Sequence, residues 1–564
     1  MLNHYRKSLP MFERDIEKML DEQCVDKNNI YYGVIENVGD GYVEPSNGCE
    51  ISSLYITAYY TPGIKYYLDD NLLFRAKIAM EHTLKRQHDD GTLDLMVTNF
   101  HDSTMCGFVM QKVGPAYLLM RKFTKNTKEE NELDELYLRF IKNCGEAMTN
   151  CGFHTPNHRW VVSSALSFCY NIIKDERYLN HIKKFLAEGI DCDENGEFSE
   201  RSAGIYNIVC DRSLIIIAMQ LNMPEILEHV KRNLYMAIKY FEPDWTINTM
   251  NSNRQDFGAD PDFDIYYECY TTMALLTQNP EFAWIADYIL EKNLGKFAAD
   301  FDKGFGILPT LFLTDENLEA KMLGIKTQKP LFEYDEYFIN SGIVRKRIGD
   351  TTLTLVKDRP NFAKLQYKDK KMQMRFAGSF FGEPHAHFIA QTIEPDKNNT
   401  SYRLTYLTHC GYRRPLDSDD TQKITDWYKF DHSKRGEICV QEFHVVFEFV
   451  FKHDGLEITL EADGCDNIPL KLELMFNAGG VYNTPDTEII TREGDYIFLK
   501  KGSASYTFKD KKRFIIDGGF NSHRYAKNMR GSIPGDNKAC SIVMTGFTPI
   551  KKTLRIRWGG INLV

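Results

Sequence analysis

The sequence predicts an N-terminal (α/α) toroid of helical hairpins followed by a C-terminal antiparallel β-sandwich. Two observations predict these classes. From about residue 50 to residue 284 the apolar residues recur at steps of three and four, and after about residue 333 they alternate with polar residues. The first spacing is typical of amphipathic helices and the second of strands with one buried face. We therefore expect a toroid at residues 1–325 and a sandwich at residues 335–564.

The helical spacing is clearest in two stretches. The apolar residues of segment 131–145 share one helix face, and those of segment 224–240 do the same after Pro224, a residue suited to the first turn of a helix. An apolar stripe of this kind must pack against a neighbouring helix. Between residues 50 and 284 the sequence gives almost no indication of a strand.

Strands are indicated in the last part of the chain by alternation at residues 353–355, 456–462 and 470–474. Turn signals lie between them, and short strands at regular spacing favour an antiparallel sandwich. The alternation is preceded by Thr327-Gln328-Lys329-Pro330, which interrupts the helical pattern. This interruption places the domain boundary between residues 315 and 340.

Polar segments precede apolar helices near His101, His158, Tyr206 and Arg254, at intervals of 57, 48 and 48 residues. Two helices and two loops fit in such an interval, which is the unit of an array of helical hairpins. In such an array the loops that enter every second helix lie at the same end. We therefore expect the four segments to converge on one cleft.

Composition narrows the range of functions. The chain has 564 residues, of which 43% are hydrophobic, and this content excludes a disordered chain. Its formal charge is −10 and it has no basic arm, which argues against nucleic acid as a partner. No apolar run is long enough to cross a bilayer, and the N-terminus lacks the apolar core of a signal peptide. Thirteen cysteines without CxxC spacing indicate reduced thiols. We expect a soluble, cytoplasmic protein.

The first and fourth polar segments combine amide, imidazole, guanidinium and carboxylate groups. Such groups suit the hydroxyls of a sugar, although turns and helix caps use the same residue types. The residues of these two segments that we predict to bind substrate are Asn99, His101, Asp102, Arg254, Gln255 and Asp256.

The second polar segment, the one near His158, has two histidines, an arginine and a tryptophan within one turn. Helix capping explains Asn157, but it does not explain the other groups. An aromatic face can pack on the C–H bonds of a sugar while a guanidinium group holds a carboxylate. We therefore predict a functional role in sugar binding for this segment, with Arg159 and Trp160 among the residues that bind substrate.

The third polar segment contains Glu200, Arg201 and Tyr206. Glu200 and Arg201 are predicted to bind substrate, although they would also form a solvated pair. A tyrosine has an ordinary pKa of about 10, so its use as a base requires nearby cations. Arg201 and His158 are the candidates for that role beside Tyr206.

A fifth segment, His385-Ala386-His387, lies in the predicted sandwich. Residues two apart on a strand face the same side, so both imidazoles would point one way. They could bind a metal, bind substrate or pair with carboxylates. His409 and His444 could complete a zinc site.

With these residues in view, the chain resembles the heparinase II/III-like and alginate-lyase-type polysaccharide lyases, which combine an incomplete (α/α) toroid with a C-terminal antiparallel β-sandwich. That family builds its active site from an Asn-His pair at the start of a toroid helix, a tyrosine about one hairpin later and a histidine from the sandwich. Asn157-His158, Tyr206 and His385 occur here in that order. His387 falls where some members place a structural zinc ligand.

The resemblance implies β-elimination on a glycan that contains uronic acid. Asn157, His158 and Arg201 would stabilise the enolate charge. Tyr206 as tyrosinate, or a histidine, would remove the C5 proton, and Tyr206 or His385 would protonate the leaving oxygen. The family requires no nucleotide or redox cofactor, and a structural divalent ion, zinc or calcium, is compatible with it.

Two other functions stay open. A glycoside hydrolase of the glucuronidase or galacturonidase type would need two carboxylates across the scissile bond, for which Asp102, Glu200 and Asp256 are available. A non-catalytic glycan-binding protein would keep the aromatic residues. In each case the expected partner is an acidic oligosaccharide, and a homo-oligomer is compatible with the sequence.

Overall fold

The computed structural model describes residues 1–36, 41–294, 308–417, 426–452, 454–524 and 529–560. The chain forms two compact units. One contains Met1–Phe241 and Trp245–Leu331, and the other contains Phe332–Val564 together with the short segment Glu242–Asp244. The second unit therefore takes three residues from the middle of the helical half of the sequence.

The first unit is helical, as predicted. Its α-helices in the described part of the chain are α1 (His4–Glu22), α2 (Asn47–Tyr59), α3 (Asp70–Arg86), α4 (Ser103–Phe123), α5 (Lys128–Asn150), α6 (Pro156–Ile173), α7 (Glu176–Ala187), α8 (Tyr206–Leu221), α9 (Leu227–Tyr240), α10 (Tyr267–Thr277), α11 (Pro280–Asn293), α12 (Leu308–Thr314) and α13 (Leu318–Gly324). Among the described helices, none combines the length and the apolar character that crossing a bilayer requires.

Two kinds of helix alternate along this unit. Helices α2, α4, α6, α8 and α10 are buried on most sides, and each contacts the next in this series. The helix that follows each of them is less completely buried, as in the amphipathic α5, α7 and α9. A helix that is apolar all round belongs in an interior, whereas a one-sided helix covers it. The alternation is that of an (α/α) toroid, and it confirms the predicted class.

The expectation that this region lacks strands fails at one place. Leu93–Leu95 (β1) pairs with Asn99–Asp102 (β2) in a short antiparallel hairpin just before α4. Strands of three and four residues are too short to produce a visible alternation. Asp102 ends the hairpin and caps α4, since its Oδ1 accepts a hydrogen bond from the Thr104 N–H at 2.8 Å.

The second unit is made of strands. Their bounds are β3 (Tyr334–Phe338), β4 (Ile343–Ile348), β5 (Thr351–Val356), β6 (Asn361–Tyr367), β7 (Lys370–Gly378), β8 (Thr392–Pro395), β9 (Ser401–Arg413), β10 (Glu437–Lys452), β11 (Gly455–Gly464), β12 (Pro469–Asn477), β13 (Val481–Thr484), β14 (Thr487–Ile490), β15 (Tyr496–Phe498), β16 (Lys501–Thr507), β17 (Arg513–Phe520), β18 (Ala539–Phe547) and β19 (Ile550–Gly559).

These strands form two sheets that enclose one apolar core. One sheet has the order β14-β13-β16-β17-β19-β11-β10-β9-β8 and the other β15-β18-β12-β7-β6-β5-β4-β3, with antiparallel neighbours except for the parallel pair β15 and β18. Alternate residues of each strand point into the core: Phe447 of β10 lies opposite Leu460 of β11, and both are buried. The core takes side chains from both sheets, which is the arrangement of a sandwich. The predicted antiparallel β-sandwich is therefore confirmed.

Glu242 forms a buried charge cluster within the second unit. Its carboxylate receives both terminal guanidinium nitrogens of Arg345 at 3.1 and 3.2 Å, the ammonium group of Lys364 at 2.8 Å and the hydroxyl of Thr352 at 2.6 Å. Glu242 and Arg345 are fully buried, and Lys364 almost so. A carboxylate in this position is tolerated only because its partners are charged and close.

A second buried carboxyl lies in the first unit without such partners. Asp211, on α8, is fully buried, and neither of its carboxyl oxygens has a hydrogen-bond partner among the described residues. Burial raises the pKa of Asp211 well above its usual value. The carboxyl group is therefore held in its neutral form in the folded protein.

The variant Asp211→Asn is expected to gain stability relative to the wild type between pH 4 and pH 8, by about 1.4 kcal/mol for each pH unit over which the folded chain keeps the proton of Asp211. The unfolded chain releases the proton of Asp211 above a pH of about 4, whereas the folded chain keeps it, so rising pH favours unfolding. Near pH 4 the two proteins should be equally stable. Urea unfolding at both pH values measures the difference, and an equal gain at both values would contradict the explanation.

Candidate functional site

The polar segments of the sequence lie at the starts of three inner helices and in one loop. Asp102 caps α4, Asn157 and His158 lie in the first turn of α6, and Tyr206 is the first residue of α8. Arg254 lies in the loop between α9 and α10. Helix N-termini carry partial positive charge, so an end of the toroid built from them favours an anionic ligand.

Glu200 joins three of these segments by direct contacts. Its Oε2 accepts a hydrogen bond from Asn157 Nδ2 at 2.8 Å, and its Oε1 lies 2.8 Å from Arg254 Nη1. The side chain is only 5% exposed. Burial raises the pKa of Glu200, while the hydrogen bond from Asn157 and the charge of Arg254 oppose that shift. The contacts bring segments two, three and four together, as the spacing predicted.

Tyr206 lies directly beneath the guanidinium group of Arg254, whose Cζ is 4.4 Å from the centre of the tyrosine ring. A cation in this position is attracted to the ring face. The Tyr206 side chain is half-buried, and its hydroxyl makes no hydrogen bond to any residue in the described ranges. The sequence suggested Arg201 and His158 as the cations near this phenol, whereas the cation that contacts its ring in the structure is Arg254.

His158, in the first turn of α6, is within electrostatic range of Arg254. It is 7% exposed, and its Nδ1 lies 3.2 Å from the Thr104 hydroxyl at the start of α4. Burial lowers the pKa of His158 to about 4; the charge of Asp102 opposes the shift, and those of His154 and Arg254 add to it. The imidazole is therefore neutral near pH 7 and can accept a proton. No described residue pairs with its Nε2.

Replacement of His158 by glutamine is expected to change how stability depends on pH. In the unfolded chain the imidazole binds a proton below a pH of about 6.5, whereas in the folded chain it does so only below about 4. The free energy of unfolding should therefore fall as the pH drops through this window, by up to about 3 kcal/mol. His158→Gln should flatten this fall in urea unfolding at pH 7, 5.5 and 4. A wild-type profile that is already flat would contradict the assignment.

Arg159 and Trp160 have structural partners. The guanidinium group of Arg159 contacts Glu188 at 3.1 Å and Asp191 at 3.0 Å, and it lies over the Trp160 ring. Trp160 is fully buried and donates its indole N–H to Asp191 at 2.9 Å. The expectation that this tryptophan offers a face to a sugar is therefore wrong, because no face of the ring is accessible. The second segment therefore contributes Asn157 and His158 to the candidate site, while Arg159 and Trp160 make packing contacts of α6.

The first polar segment also has some residues near His158 and others that lie in a separate group. Asn99 donates to Asp102 Oδ2 at 3.1 Å, which orients the carboxylate near His158. His101 is exposed and belongs to a separate group, in which its Nδ1 lies 2.8 Å from Asp90 and its ring stacks on that of His88 at 3.8 Å. None of the contacts of His101 in the described structure reaches His158 or Tyr206.

The fourth segment supports the loop that carries Arg254. Asp256 is buried, and its carboxylate accepts hydrogen bonds from Ser202 at 2.9 Å and from the Gly204 N–H at 2.9 Å. These bonds fix the loop to the segment that precedes Tyr206. Gln255 is exposed and accepts a long hydrogen bond, 3.4 Å, from Arg254 Nε. Arg201 follows Glu200 in the left-handed backbone region, with φ of 51°, and is partly exposed.

His385 and His387 lie in the second unit. We expected them on a strand, and the structure places them outside the strands. They follow the turn at Gly382 and face different partners, because a turn does not keep the alternation of a strand. The Nδ1 of His385 lies 2.5 Å from the Thr408 hydroxyl. The Nε2 of His387 accepts a hydrogen bond from the Ile533 N–H, and burial lowers the pKa of His387 to about 4.

The metal role suggested for His387 stays a prediction, and in the described structure one of its ring nitrogens is occupied. Its Nε2 is already engaged by the backbone of Ile533. Among the described residues, no group of three or more histidine, cysteine, aspartate or glutamate side chains could hold one. The expected completion of a zinc site by His409 and His444 is therefore not seen.

Two contacts of the site could not be read from the sequence pattern. Thr104, which meets His158, looks like an ordinary residue of the first helical turn, although its position two residues after the cap Asp102 places it near the helix start. Asp191 pairs with both Arg159 and Trp160 from the following loop. Asp191 is far in sequence from both residues, so the sequence does not indicate that it pairs with them.

Comparison with solved structures identifies the fold. A heparan sulfate lyase from Pedobacter heparinus matches 97% of this chain and 83% of its own length with 11% identity and a TM-score of 0.54. Heparinase III matches 98% and 85% with 9% identity and a TM-score of 0.57, and a Streptomyces coelicolor chondroitin AC lyase, solved with chondroitin sulphate, matches 98% and 79% with 10% identity and 0.53. The chain has the fold of these polysaccharide lyases. Neither the protein-family models nor the curated proteins give a match to the sequence.

Proposed function

We propose that this protein cleaves an oligo- or polysaccharide that contains uronic acid, by β-elimination. The observation that carries the proposal is Tyr206, whose hydroxyl has no hydrogen-bond partner among the described residues and whose ring lies under the guanidinium group of Arg254. The neutral imidazole of His158 is close enough to Arg254 for that charge to lower its pKa. An acid–base group and a carboxylate-binding cation thus occupy one location.

Arg254 is the residue best placed to hold the carboxylate of the substrate. Its Nη1 is paired with Glu200 and its Nε with Gln255, which leaves Nη2 without a partner among the residues described. When the carboxylate charge is held by a guanidinium group and helix N-termini, the C5 proton becomes more acidic and the enolate is stabilised. The N–H groups of Asn157 are engaged with Glu200 and Thr155, so this amide holds Glu200 in the arrangement seen here.

The elimination then needs one base and one acid. Tyr206 as tyrosinate, or His158 through its Nε2, takes the C5 proton; the electron pair forms the C4–C5 double bond, and the C4–O bond breaks. The leaving oxygen takes a proton from Tyr206 or from another acid, and no water is added. General acid–base steps of this kind contribute about 10²- to 10⁴-fold to a rate. His385 stays a second candidate for the acid on the family resemblance alone.

The arrangement of the three carboxylates favours elimination over hydrolysis. Asp102 is held by the Thr104 N–H and by Asn99, Glu200 by Asn157 and Arg254, and Asp256 by two serine hydroxyls and the Gly204 N–H. A hydrolase would need two carboxyl groups free to face the scissile bond. A purely glycan-binding protein would have no use for a neutral histidine and a phenol without a hydrogen-bond partner that share Arg254 as a neighbouring charge.

A panel of acidic oligosaccharides tests the proposal. We expect a product that absorbs in the far ultraviolet, as an unsaturated uronate does, and fragment masses that sum to the mass of the substrate. The same oligosaccharides with carboxyl groups reduced to alcohols serve as the control and should be inert. Fragments that contain an added water would identify a hydrolase, and binding without turnover on every member of the panel would identify a binding protein.

A further inference from the structure

We propose that Glu200 is a positioning residue that holds Arg254 over Tyr206; this inference rests on the proposed function. The carboxylate is buried and uses both oxygens, Oε2 for Asn157 and Oε1 for Arg254. The backbone N–H of Asn157 also points to Oε2, at 3.3 Å. Glu200 therefore connects Asn157, which lies in the first turn of α6, to the long side chain of Arg254, which lies in a loop.

Arg254 has little else to fix its guanidinium group. Besides the ion pair with Glu200, its side chain makes one hydrogen bond in the described structure, the 3.4 Å contact with the exposed Gln255. An arginine side chain is costly to order, so a charged partner is needed to keep the group in one orientation. The ion pair with Glu200 leaves the guanidinium face on the Tyr206 ring and leaves Nη2 available.

The loop that carries Arg254 is held independently of the Glu200 side chain. The Asn253 N–H donates to the backbone oxygen of Glu200 at 3.2 Å, and Asp256 binds Ser202 and Gly204. Replacement of the carboxylate should therefore release the Arg254 side chain without moving its backbone. A displacement of about 1 Å in a binding group costs on the order of 10²-fold in rate.

Glu200→Gln is the test variant, since it keeps the size of the side chain and removes its charge. The matched control is Glu188→Gln, which removes the exposed partner of Arg159. We expect kcat/KM to fall about 10²-fold for Glu200→Gln and less than about twofold for the control. In the background of Arg254→Ala, Glu200→Gln should add less than about twofold, because its effect passes through Arg254. An equal loss in both backgrounds would overturn the proposal.

A crystal structure of Glu200→Gln gives a readout that needs no activity. We expect the Arg254 guanidinium carbon to leave the Tyr206 ring, beyond the ~6 Å limit of a cation–π contact. If it stays at the present distance, Glu200 does not position it. Should Glu200→Gln fail to fold, Glu200→Asp, which keeps the charge on a shorter chain, replaces it in both measurements. A wild type that is inactive on every uronate glycan would refute the proposed function, while the crystal structure would still decide the role of Glu200.

Discussion

The variant Tyr206→Phe is expected to lose elimination activity by about 10²- to 10⁴-fold in kcat, the usual contribution of a general acid or base. The substitution removes only the hydroxyl, which has no hydrogen-bond partner in the described structure, and keeps the ring beneath Arg254. Substrate binding should therefore change little, and so should the thermal unfolding temperature. Initial rates of product absorbance across substrate concentrations separate the loss in kcat from any change in KM.

The matched control for this variant is Tyr67→Phe. Tyr67 is 46% exposed and far along the chain from the polar segments, and it should tolerate the same change with no loss of rate. If Tyr206→Phe retains more than a third of the wild-type kcat, then His158 or another group performs the proton transfers. A loss of stability in Tyr206→Phe would show that the hydroxyl has a structural partner.

The variant Glu242→Gln is expected to destabilise the second unit by about 3–5 kcal/mol. Arg345 and Lys364 would remain buried without the carboxylate that they now share, since the amide carries no charge. Hydrogen exchange of the β4 and β5 amides measures the local free energy of opening, which avoids assuming that both units unfold together.

The control for Glu242 is an exposed pair in the same unit. Glu461 lies 2.9 Å from Lys551 across β11 and β19, and both side chains are solvent-exposed. Glu461→Gln should change the opening free energy by no more than about 1 kcal/mol. A similar small effect for Glu242→Gln would mean that the buried cluster is dispensable.

The periodicity of apolar residues predicted most of the fold. Residues 131–145 lie within α5, Pro224 begins a short 3₁₀ turn that leads into α9, and residues 456–462 lie within β11. Each of these elements buries one regular face, and the spacing of the apolar residues therefore predicts which residues are buried. The β1–β2 hairpin and the three residues Glu242–Asp244 were missed, because such short segments contain too few positions to establish a period.

The sequence predicted that the polar segments come together, and it did not predict how their side chains pair. The interval between polar segments indicated one cleft, and Glu200 indeed joins Asn157 to Arg254. The contact between Arg254 and Tyr206 depends on loop conformations that no spacing records. For Trp160 the sequence suggested a contact with substrate that the structure does not have. An aromatic ring beside an arginine looks the same in sequence whether it contacts a sugar or, as here, packs inside the protein.

One measurement tests the central claim most directly, the mass spectrum of products from a uronate oligosaccharide that carries deuterium at C5. If Tyr206, Arg254 and His158 form an elimination site, the new terminal sugar loses its deuterium, gains no water and absorbs in the far ultraviolet. A terminal sugar that keeps the deuterium and gains the elements of water would contradict the account, because no bond at C5 would then have been broken.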